Sequence, residues 1–78
     1  MRELKLRYNA ILKQQSKAVA WFESDDFSNR FKAEGEPFFN KALARWNQYE
    51  ALRIDILDKL EAHGEKVTRE EIILGFEF

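Results

Sequence analysis

Residues 37–64, PFFNKALARWNQYEALRIDILDKLEAHG, decide the fold. Proline is favoured at the first helical position because its missing N–H would have no partner there, and Gly64 supplies the matching stop. Between them Phe38, Ala42, Trp46, Tyr49, Leu52, Ile56 and Leu60 recur on one helical face, broadened by Phe39 and Leu57. The stretch predicts one helix over 37–63, about 40 Å long at ~1.5 Å per residue. Arg53 lies inside the apolar sector, so its stem is expected to pack while its guanidinium reaches water or a carboxylate such as Glu50.

Working back from this helix, the chain shows a second long periodic segment. Leu4, Tyr8, Ile11, Val19 and Phe22, with Leu12 and Ala18 beside them, predict a helix over 2–22 that no Gly or Pro interrupts. Gln15 falls in the middle of that stripe, where a buried amide must find a partner. Residues 23–36 join the two helices and are dense in capping and turn residues. Ser24 or Asp25 can cap a new helix, Phe27 and Phe31 are spaced i, i+4, and Gly35 suits a left-handed stop. A short helix over 26–33 is expected, with its two phenylalanines tucked under the ends of the long ones.

Beyond Gly64, Thr68 and Glu71 form a capping box, and Val67 with Ile72 occupies the two positions of a hydrophobic staple. A helix over 69–74 follows, ended by Gly75. Two turns have no stability alone, so Ile72, Ile73 and Phe76 are expected to dock on the long helices or on another chain. The fold class is therefore all-α: one domain over residues 1–78, an antiparallel hairpin of two long helices with a short connecting helix and a short C-terminal helix.

Composition narrows the possible functions. The chain has 78 residues, 45% of them hydrophobic, and a core this small without disulfide or metal leans on good packing or on a second chain, so a homodimer is expected. Cysteine is absent, no apolar run approaches the roughly 18 to 20 residues of a membrane span, and the N-terminus lacks a signal peptide's apolar core. These features read as a cytoplasmic chain, complete from Met1 to Phe78, with no membrane role. The net charge of −1 is distributed unevenly, with residues 1–22 at +4, 23–36 at −3, 37–53 at +2 and 54–78 at −4. The simplest reading lays the basic first helix antiparallel to the acidic end of a later one.

Catalysis is not expected. His63 is the one histidine, and as a cation in the last turn before Gly64 it complements the helix dipole. Ser16, Ser24 and Ser28 have no neighbouring base, and Asp55, Asp58 and Glu61 read as a solvated face rather than a calcium site. Gly35, Gly64 and Gly75 each end a helix instead of building a phosphate cradle, so no metal and no cofactor is expected.

Binding is the remaining class. Trp21 and Leu6 on the first helix and Leu43 and Ile54 on the third fall roughly opposite the core stripes and are the candidate partner-binding residues. They point to a non-enzymatic protein-protein interaction module. A small regulatory or inhibitory protein of bacterial or phage origin is expected. The alternative is weak nucleic-acid binding by the first helix, where Arg2, Lys13 and Lys17 project away from the apolar stripe near Trp21. The acidic total and the lack of a helix-turn-helix arrangement weigh against it.

Overall fold

The computed structural model describes all 78 residues and is 82% helical with no strand. Four helices follow in order: α1 (Arg2–Phe22), α2 (Asp25–Glu34), α3 (Glu36–Ala62) and α4 (Arg69–Leu74). Contacts between Tyr8 and Arg53, Gln15 and Glu50, and Phe22 and Trp46 lay α1 antiparallel to α3. The result is a rod of 48 × 20 × 19 Å.

The helix ends follow local chemistry. Ser24 caps α2 by accepting from the Phe27 amide, which starts that helix at Asp25, one residue before the expected 26. Gly35, at φ 75°, ends α2 and also starts α3, so Pro37 sits at the second helical position and α3 begins at Glu36 rather than 37. At the far end the Gly64 amide donates to the Glu61 carbonyl (2.9 Å) and the Glu65 amide to the Leu60 carbonyl (3.0 Å). These two bonds form a Schellman motif, with His63 as the cap and Gly64 at φ 80°. The capping box of α4 is complete: the Thr68 hydroxyl accepts from the Glu71 amide, and the Glu71 carboxylate accepts from the Thr68 amide.

The interior is divided in two. At one end Tyr8, Ile56, Leu60 and Phe76 form the buried cluster, with Leu4, Ile11, Leu12, Leu57 and Val67 packed against it. At the other, Trp21, Phe22, Phe27, Phe38 and Trp46 stack edge-to-face, with ring centroids 5.0 to 6.0 Å apart for the closest pairs. Phe27 lies under the ends of α1 and α3 as expected, while Phe31 reaches Phe39 from a more exposed position.

Three expectations about the core are corrected. Val19 and Leu52 belong to the periodic stripes yet are exposed, because each long helix has one long neighbour and the edges of its stripe meet nothing. Trp21 was expected to face away from the core; instead α2 turns back over that flank and packs Phe27 against its indole at 5.0 Å. Ile73 was expected to dock but is 63% exposed, because α4 is held by its Ile72 and Phe76 side.

Candidate functional site

The polar crossing between the two halves of the core is built around Arg53. Its Nη1 donates to Glu50 Oε1 (3.0 Å) and Gln15 Oε1 (3.2 Å), and its Nη2 donates to the Tyr8 hydroxyl (3.0 Å) and the Ile72 carbonyl (3.1 Å). Gln15 Nε2 completes the network on Glu50 Oε1 at 2.7 Å. The amide in the apolar stripe of α1 thus finds its partner, and the arginine reaches Glu50 as expected. It also ties in the C-terminal segment, a role that nothing in its local sequence signals. Apart from Arg53 Nε, which is buried without a partner, these groups satisfy one another, so the crossing is a structural joint.

The C-terminal segment is clamped by Asn9. Its Nδ2 donates to the Phe76 carbonyl (2.8 Å) and its Oδ1 accepts from the Phe76 amide (2.7 Å), which seats the Phe76 ring against Tyr8 at 5.4 Å. The close approach requires Gly75, at φ 95°, where a Cβ would lie 2.6 Å from Asn9 Oδ1. Lys5 adds an ion pair to Glu65 at 3.4 Å, the one salt bridge between α1 and the acidic C-terminal third. The other three, Arg30–Glu34, Arg53–Glu50 and Lys59–Asp55, lie within single helices. The charge asymmetry is therefore cancelled internally only in part.

Two grooves run along the hairpin where the long helices part. The first, of about 300 Å³, is lined by Val19, Phe22, Phe39, Leu43 and Trp46, with Glu23 as its single polar wall. It lies on the same side of the hairpin as α4. Leu12, which borders the depression beside Ile73 and Leu74, is two helical turns from Val19 on the same side of α1. The second groove, of about 670 Å³, lies on the opposite side. Lys17, Arg30, Lys41 and Arg45 stand over a floor that includes Trp21, Phe38 and Tyr49, and no carboxylate lines it.

The sequence-derived candidates do not converge. Leu43 forms a wall of the apolar groove. Ile54 is exposed three turns further along α3, Leu6 is exposed on the outward side of α1, and Trp21 belongs to the aromatic cluster. Of the basic candidates, Lys17 lines the cationic groove and Lys13 borders the depression beside α4, while Arg2 lies over the Phe78 ring at 5.7 Å. Periodicity had left out Val19 and Phe39 as site residues because they belong to the apolar stripes. Lys41, Arg45 and Gln48, spaced i, i+4, i+7 along the edge of the α3 stripe, carried a legible signal for the second groove.

No group of three or more His, Cys, Asp or Glu side chains converges as metal ligands, and no helix is long and apolar enough to cross a membrane. No protein-family model, curated protein or solved structure matches the chain.

Proposed function

We propose that this chain is a non-enzymatic interaction module, a small regulatory or inhibitory protein that acts by docking another protein on the apolar face of its hairpin. The observation that carries this reading is its surplus of surface. A compact monomer of this mass exposes about 5,000 Å² and has a radius of gyration of about 11.5 Å. This one exposes 6084 Å², with a radius of gyration of 15.2 Å. The excess, on the order of 1,100 Å², compares with the roughly 800 Å² each partner contributes to a standard interface. Much of it is apolar, with Val19, Phe39, Leu43, Ile54, Ile73 and Leu74 all exposed.

The test uses the purified chain as bait. Leu43→Asp with Ile54→Asp is expected to abolish capture of a stoichiometric partner while circular dichroism stays unchanged, since both side chains are already exposed. Retention is expected to survive high salt, because apolar burial is not screened. Capture that is lost on raising salt and insensitive to these substitutions would sink the reading.

The carboxylate-free lining of the second groove favours one alternative, the binding of a single-stranded nucleic acid by cations interleaved with aromatics. On that reading, reversing Lys17, Lys41 and Arg45 is the damaging change, and affinity falls with salt at a slope set by the phosphates contacted.

A further inference from the structure

We infer that the apolar groove receives α4 of a second copy of this chain, in an antiparallel two-fold dimer. The inference rests on the protein-docking reading and names the occupant of that site. One face of the hairpin is half covered and half bare. Over its covered half α4 is fixed by Arg53 and Tyr8, and the residues after it by Asn9, and over its bare half lies the groove. The outer side of α4 carries Ile73 and Leu74, which are 63% and 79% exposed. The face thus presents an aliphatic knob and an aromatic-walled hole side by side, the pairing that an isologous contact requires.

The spacing suits a two-fold axis through the face. Along α1 the knob lies beside Leu12 and the hole begins at Val19, about 10 Å further on at ~1.5 Å per residue. An axis midway passes close to Ser16, a small residue where two faces can approach closely. The same rotation carries Lys13, beside the knob, toward Glu23 of the second copy, at the rim of the hole. Neither Lys13 nor Glu23 has an ion-pair partner in its own chain. The surplus surface derived above covers what a stable dimer needs on each side.

The absence of cysteine makes the geometry directly testable. Two differently tagged chains, one carrying Leu74→Cys and the other Leu43→Cys, are mixed under mild oxidation. The expected product is the mixed disulfide between them. Sedimentation of the wild type is expected to show a dimer at micromolar concentration. Leu74→Asp is expected to weaken it by about tenfold or more without changing the circular dichroism spectrum, because Leu74 supports nothing in its own chain. Lys13→Glu and Glu23→Lys are each expected to weaken the dimer, and the double reversal to restore it. A monomer at all concentrations overturns the inference, as does a dimer in which each cysteine variant crosslinks only to its own kind and no mixed disulfide forms. If a monomeric wild type still captures a different protein in a Leu43-dependent way, the docking reading stands and only the occupant is wrong.

Discussion

Arg53 serves four acceptors with one guanidinium, and three of them belong to other elements of the fold: Tyr8 and Gln15 on α1 and the Ile72 carbonyl on α4. Arg53→Ala leaves the Tyr8 oxygen and Gln15 Oε1 without a donor and the Ile72 carbonyl with the Tyr8 hydroxyl alone, and is expected to destabilise the chain by about 2–4 kcal/mol in urea unfolding. Lysine has a single nitrogen and cannot span both sides of the crossing, so Arg53→Lys is expected to recover less than half of the loss. Asn9 is the second pivot. Asn9→Asp replaces the donor to the Phe76 carbonyl with a carboxylate oxygen, and a loss of about 1–3 kcal/mol is expected. Limited proteolysis should report it as faster cleavage within residues 65–78.

The elements differ in what sustains them. The two long helices have their own periodic stripes to bury, whereas α4 is six residues held by its cap and its docking. The backbone amide of Thr68, donating to the Glu71 carboxylate, holds that carboxyl below its ordinary range. Because the folded carboxyl titrates lower than the unfolded one, the stabilisation is complete above the ordinary glutamate range and is lost as pH falls through the lowered folded value. Amide exchange at Thr68, corrected for intrinsic rate, should therefore speed up in acid relative to the protected amides of α3. Glu71→Gln keeps an acceptor but no titratable charge, and should remove that pH dependence.

At the scale of the molecule, the C-terminal segment closes one half of the core. Deleting residues 67–78 uncovers Tyr8 and Leu60, both wholly buried in the intact chain, together with the apolar side chains packed on them. At about 25 cal/mol per Å² the expected loss is several kcal/mol, a large part of the stability of so small a domain. Chemical denaturation should show the truncated chain unfolding at much lower urea. The rings of the aromatic half, closed by α2, pair with one another and not with the deleted segment, and should keep their near-ultraviolet signal longer as urea is raised.

The sequence alone determined the four helices, their order and their ends to within a residue. Those features depend on contacts three or four residues apart: the Thr68–Glu71 box, the Ser24 cap, and the stripes of α1 and α3. It also determined that Gln15 and Arg53 would need polar partners inside an apolar stripe. Tertiary structure alone decided which flank of each stripe is covered. Helical spacing assigned Trp21 to the surface and Val19 to the core, and the fold reverses both because α2 turns back over the Trp21 flank. The bare groove likewise depends on where α4 docks, which is set by the bonds from Asn9 to Phe76 across sixty-seven residues of chain. Periodicity reports that a side chain lies on an apolar face; which neighbour covers it depends on contacts distant in sequence.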